Sequence, residues 1–272
     1  MSWIRRLRRD YGTIHIDFGE PLSLAKTLGP SQPDAEPAPD ERDLALQKLA
    51  FEVCVQINAV TPITPISLVT LALLGTGGQA QTAQEVVVRL TNLLYDVERR
   101  ELPNTGLEEL ESAEGVARVL EELAENEVVD RFSEGHESVY RIGPERELAA
   151  AYYRNSIIHF FVAPAITELA LLQAADAADG EDRVDAFWRG AMQLRDLLKF
   201  EFFFAEKDVF RGELRREVAD RDAEWEAMLA SGSEGAIELL RRSRPFSAHR
   251  VLRPFIEAYR VVADHLTCLL YT

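Results

Sequence analysis

Apolar residues in this chain recur at third and fourth positions through most of its length, and only three short runs alternate with the period of a strand. A sheet needs several strands side by side, so the pattern confines the chain to a mainly α fold. Leu46, Leu49, Ala50, Val53 and Ile57 share one helical face. Val86, Leu90, Leu93, Leu94 and Val97 form a second stripe over 82–97, and Val116, Val119, Leu120 and Leu123 a third over 113–126. The spacing predicts further helices over 152–172, 184–210, 215–229, 235–241 and 248–266, the last carrying Val251, Leu252, Phe255, Ile256 and Tyr259 on one stripe. Residues 148–272 therefore read as a C-terminal helical bundle.

The three alternating runs are unequal. Ile14, Ile16 and Phe18 alternate with Thr13, His15 and Asp17 before Gly19-Glu-Pro21 ends the run. A lone strand cannot be stable without partners for its edges and its apolar face, so the expectation is that the chain begins inside a domain. The other two runs, Val128–Phe132 and Val139–Ile142, flank the polar turn 133–138 and predict a hairpin. Three helices followed by a hairpin outline a winged-helix-like module over 46–147. Before it, Pro30, Pro33, Pro37 and Pro39 mark residues 29–45 as an exposed linker. Within it, Thr61-Pro-Ile-Thr-Pro65 separates two helices, and Gly75-Thr-Gly-Gly78 reads as the stop of the helix over 66–74, in preference to a phosphate cradle.

Charge excludes some partners. Acidic residues outnumber basic ones 46 to 30, a net charge of -16, which opposes nonspecific attraction to nucleic acid or bare anionic lipid. Residues 1–28 reverse the balance with Arg5, Arg6, Arg8, Arg9 and Lys26 against Asp10, Asp17 and Glu20. Arg5, Arg6, Arg8 and Arg9 are thus the candidates for contact with phosphate or membrane, and the solvated face of a helix is the competing reading. Cys54 and Cys268 form no C-x-x-C pair and no disulfide framework, which fits a reducing cytosol. The basic N-terminus lacks an apolar core behind it and is not a secretory signal. Ile157–Leu172 is the most apolar run, but His159, Pro164, Thr167 and Glu168 interrupt it and it falls short of the about 20 residues a span requires, so it reads as a buried helix.

Other features weigh toward packing. The histidines show no i, i+4 pairing that would hold a metal, and no cofactor fingerprint occurs. Glu201, Glu206 and Asp208 read as the wet edge of a helix. Asn155 and His159, one helical turn apart, read as a core hydrogen bond or as the lining of a groove. Phe200 and Phe202–Phe204 make an aromatic patch, a core by default and a docking or membrane-facing surface as the sharper alternative.

Several of these stretches resemble the bacterial membrane-associated glycerol-3-phosphate 1-O-acyltransferases. Residues 7–24, containing Phe18-Gly-Glu-Pro21, resemble the strand that closes the acyltransferase domain of that family; residues 57–74 are the most specific match. Residues 152–161 and 198–204 resemble family segments in the same order. The likeness implies that residues 1–28 are the remnant of an α/β acyltransferase domain and that its catalytic part is a missing N-terminal partner. It also implies a peripheral location at the cytoplasmic face of the cell membrane and a family chain that continues past the position of His265.

The chemistry of that family rests on H-x-x-x-x-D, a histidine general base oriented by an aspartate. The fifth residues after His15, His136, His159, His249 and His265 are Glu20, Arg141, Pro164, Pro254 and Leu270. No catalytic residue can be assigned, and the chain is expected to be inactive alone. Two other readings stay open. A winged-helix DNA-binding regulator fits the outline of 46–142 and conflicts with its acidic helices; a helical adaptor without chemistry fits the composition.

Overall fold

The computed structural model describes residues 15–28, 39–178, 180–244 and 246–270. It is mainly helical and divides into two compact units, residues 1–61 and 62–272.

In the first unit, helix α1 (Leu24–Leu28) packs on helix α2 (Pro39–Val60). The alternating run forms no ladder at its described residues, 15–18. Ile16 and Phe18 are 73% and 90% exposed, as befits a run whose apolar face has no second strand to lie against.

The second unit is built around two apolar helices. Helix α3 (Pro65–Leu74) starts on a reciprocal cap in which Thr64 Oγ1 accepts from Ser67 N and Ser67 Oγ accepts from Thr64 N, with Pro65 in the first turn. Its residues 67–73 are all buried, which a helix apolar on every side requires. Gly77 and Gly78, at φ of 64° and 80°, turn the chain away after α3, a backbone region that favours glycine. Strand β1 (Gln81–Thr82) follows, then helix α4 (Ala83–Arg99), opened by a second capping box between Thr82 and Glu85. Helix α5 (Ala113–Glu125) is capped by Ser112 and packs its Val116, Val119, Leu120 and Leu123 stripe toward α4. Strands β2 (Asp130–Phe132) and β3 (Val139–Arg141) pair antiparallel with Arg131 opposite Tyr140, and β1 joins the other edge of β3, giving the order β1-β3-β2.

The remaining elements are helical: α6 (Glu147–Asn155), α7 (Val162–Ala175), α8 (Arg183–Leu198), α9 (Lys207–Ala219), α10 (Trp225–Ala230), α11 (Ser233–Arg242), α12 (Ala248–Val251) and α13 (Arg253–Leu270). Helix α7 is the second centre and packs against α8, α9, α11 and α12. With the 3-10 turn before it, Ile158–Ala175 is 18 residues long and apolar enough to cross a membrane by length and composition, longer than the run delimited from sequence. Of that stretch 61% is buried inside the structure, as the core helix of a folded unit would be.

Three helices expected to be continuous are broken. The one over 152–172 stops at Asn155 and resumes at Val162, because Pro164 has no N–H to offer the Phe160 carbonyl; that oxygen instead accepts from Arg100 Nη2 at 2.8 Å. The one over 184–210 stops at Leu198, where Phe202 turns inward against Phe255 and Arg195 Nη2 donates to Ala205 O at 2.7 Å. The one over 248–266 breaks at Leu252, ahead of Pro254.

Candidate functional site

Two clusters of arginines stand out in the second unit, and their chemistry differs. In the first, Asp96 on α4 is 2% exposed and accepts from Arg99 Nη2 at 2.9 Å, Arg100 Nη1 at 3.2 Å and Arg221 Nη2 at 3.1 Å. Glu217 pairs with Arg221 at 3.2 Å and Asp220 with Arg99 at 3.0 Å. Three cations meet three anions, so the group is neutral and serves to tie α4 to α9.

The second cluster lies where α3 ends. Arg250 on α12 runs its side chain across Gly75, the C-cap of α3; a Cβ on Gly75 would sit 2.6 Å from Arg250 Cγ and Nε. Glycine is needed there for space and not for its backbone angle, since φ is -73°. Arg250 Nε donates to His249 Nε2 at 3.3 Å, and the His249 ring is also hydrogen bonded to the Gly75 backbone. An imidazole that accepts on Nε2 is neutral. Partial desolvation of the ring, followed by the Arg250 charge, pushes His249 below the usual histidine range, in agreement with that tautomer.

Arg89 on α4 lies within Coulombic reach of both His249 and Arg250 and donates Nε to Gln81 Oε1 at 2.7 Å. Arg253, on the exposed side, pairs with Glu257 at 2.7 Å. The nearby acid is Glu168 on α7, whose Oε2 is occupied by the Ser247 and Ala248 N–H groups at 2.7 and 3.0 Å. Burial raises the Glu168 pKa, and those two N–H groups oppose the rise. Arg250 Nη1 is buried without a hydrogen-bond partner. Burial, then the like charge of Arg89, holds the Arg250 pKa below its usual value. Among the described residues of the cluster no carboxylate orients a base, and its surplus of positive charge suits an anion.

The sequence-derived candidates fare unevenly. Arg5, Arg6, Arg8 and Arg9 lie outside the described residues. His15 and Glu20 are both exposed. Asn155 and His159 fall on opposite sides of a helix break; Asn155 Oδ1 accepts from Arg154 Nε and Nη2, and His159 lies against the Phe160 ring. Glu201, Glu206 and Asp208 are exposed. Phe202 and Phe204 join Phe255 and Phe210 in the core, whereas Phe200 is 82% exposed. Among the described residues no three His, Cys, Asp or Glu side chains gather as a metal site. Sequence reading missed Arg89, His249, Arg250 and Arg253 as a group. The signal available was charge beside apolar stripes, as with Glu168 inside 157–172.

Comparison with known proteins supplies the frame for these residues. Residues 1–270 match a family described as the glycerol-3-phosphate acyltransferase C-terminal region. The chain belongs to that family. Mycobacterium tuberculosis and Mycobacterium bovis each have an acyltransferase named plsB1 that is 35% identical over 256 residues, covering 94% of this chain and 40% of the relative. A glycerol-3-phosphate acyltransferase of Pseudomonas fluorescens is 27% identical over 167 residues, covering 59% of this chain and 20% of its own length. The C-terminal-region chain thus spans 40% of the length of the mycobacterial relatives. Both arginine clusters lie within the matched residues.

Proposed function

We propose that this chain is the non-catalytic C-terminal part of an enzyme that acylates the 1-position of glycerol 3-phosphate from acyl-CoA or acyl-carrier protein, a step of phospholipid synthesis. The observation that carries the reading is the family match over residues 1–270, taken with five histidines none of which has an aspartate five positions on. Its role is to pack on an N-terminal acyltransferase domain, with residues 1–28 completing the edge of that domain. Peripheral seating at the cytoplasmic membrane face belongs to the same proposal, and exposed Phe200, with Lys199 Nζ 5.2 Å from its ring centre, is a candidate contact.

Within the second unit, the order α3-β1-α4-α5-β2-β3 and the sheet order β1-β3-β2 support the winged-helix-like reading. Nucleic acid is not the partner of that module. The helix in the recognition position, α5, carries Glu114, Glu121, Glu122 and Glu125 against Arg118, and the hairpin turn adds Glu134 and Glu137.

The test is an acyltransferase assay on the 272-residue chain with glycerol 3-phosphate and either acyl donor. Background turnover is expected. Clear turnover abolished by substituting any one of the five histidines would overturn the proposal.

A further inference from the structure

The described arginines that hide a nitrogen without a partner are Arg99, Arg195, Arg221 and Arg250. Arg99 and Arg221 nevertheless reach Asp96, and Arg195 reaches Asp196 at 3.1 Å. Arg250 is the exception: its hydrogen-bond partner is a neutral imidazole, and no acid lies within ion-pair distance of its guanidinium among the described residues. Glu168 offsets the Arg250 charge through space but makes no direct ion pair with it, and a second cation nearby works against that offset. Here that second cation is Arg89, held in place through Gln81, with Arg253 at the exposed edge.

The arrangement is built from five elements. The C-cap glycine of α3 makes room for the Arg250 stem; α4 supplies Arg89; α7 supplies Glu168, which is engaged with backbone N–H groups; α12 and α13 supply His249, Arg250 and Arg253. Arg250 is half-buried, while His249 and Arg253 are exposed, so the outer side of the cluster meets solvent. Guanidinium forks bind tetrahedral oxyanions with paired N–H donors, and two guanidiniums within Coulombic reach of each other suit a group with several equivalent oxygens.

We propose that Arg89 and Arg250, flanked by Arg253, form a binding site for a phosphate group at the end of helix α3. The phosphate oxygens would accept from Arg250 Nη2, the guanidinium nitrogen that is neither hydrogen bonded nor sealed from solvent, and from the outer nitrogens of Arg89, and His249 would keep the Arg250 stem in place by accepting from Nε. Free phosphate, a phosphorylated soluble metabolite and a lipid headgroup present the same oxygens, and the chemistry at the arginines is shared. This site stands independently of the acyltransferase reading, since it involves no acyl transfer.

The experiment is calorimetric titration of the full 272-residue chain with inorganic phosphate at constant ionic strength, with sodium chloride as control, alongside Arg250→Gln and Arg89→Gln. One saturable phosphate site is expected in the wild type, with affinity lowered at least about tenfold in each variant and circular dichroism unchanged. If Arg250→Gln disturbs folding, Arg89→Gln, at a half-buried residue, carries the test. Sedimentation with phosphatidylcholine vesicles, with and without phosphatidic acid, distinguishes the sources: binding of the phosphatidic acid vesicles that depends on Arg89 and Arg250 assigns the site to a lipid phosphate, and phosphate binding without it assigns a soluble one. No saturable phosphate binding by the wild type, or equal binding by both variants, would overturn the proposal.

Discussion

The two arginine clusters of the second unit use the same side chain in opposite ways. Around Asp96 three guanidiniums meet three carboxylates, and the charges are spent within the fold. Around Arg250 the nearest carboxylate, Glu168, is committed to the Ser247 and Ala248 N–H groups, and a guanidinium nitrogen is left over. A closed cluster explains how helices are held together; an open one has capacity for something outside the chain. Balance of charge, and not the number of arginines, separates a strut from a site.

The comparison is broken most forcefully at the closed cluster. Asp96→Ala strands Arg99, Arg100 and Arg221 around a buried gap, and a loss of about 3–5 kcal/mol is expected from urea denaturation, because removing one member of a buried ion network leaves the others uncompensated. Arg250→Gln removes no ion pair and should cost much less. Next in size, Glu168→Ala leaves the Ser247 and Ala248 N–H groups without their acceptor, for an expected loss of about 2 kcal/mol. Glu168→Gln sharpens the contrast, because it keeps one acceptor while removing the local negative charge, so phosphate affinity should rise. Of similar size is Gly75→Ala, about 1–2 kcal/mol, because its backbone angle suits any residue but its Cβ meets the Arg250 stem. Its added Cβ displaces the Arg250 side chain, and phosphate affinity should fall in titration.

The smallest effect is one of pH. The folded-state pKa of His249 is lowered, so the unfolded chain takes up the proton first as pH falls. The contribution of the neutral imidazole is therefore full above the ordinary value of about 6.5 and is lost as pH drops through it. Glu168 has the opposite slope: its raised pKa makes its contribution full below the ordinary carboxylate value, and that contribution is lost as pH rises toward the folded value. Comparing urea midpoints of wild type and His249→Gln at about pH 7.5 and about pH 5.5 cancels the Glu168 slope. The wild type should lose more on acidification.

Much of the fold was legible because it is local. The stripes of α4 and α5, the Thr64 and Thr82 caps and the hairpin of β2 and β3 are each written within a few residues. The interruption at 199–206 was not legible, because it depends on Phe255 packing against Phe202; that at 156–161 had a local signal in Pro164, and only the Arg100 that takes up the Phe160 carbonyl comes from elsewhere. The open cluster was hidden for the same reason. Arg89, Glu168 and Arg250 are separated by whole helices, and periodicity along one helix says nothing of which charges meet across three. The absence of H-x-x-x-x-D, by contrast, was plain in the sequence itself.

One measurement addresses the difference between the clusters directly: thermal unfolding of wild type, Asp96→Asn and Arg250→Gln, each with and without phosphate at equal ionic strength. The expected result is that phosphate raises the midpoint of wild type and of Asp96→Asn by similar amounts and leaves Arg250→Gln unmoved. Equal stabilisation of Arg250→Gln, or none of the wild type, would contradict the assignment of the open cluster as a site.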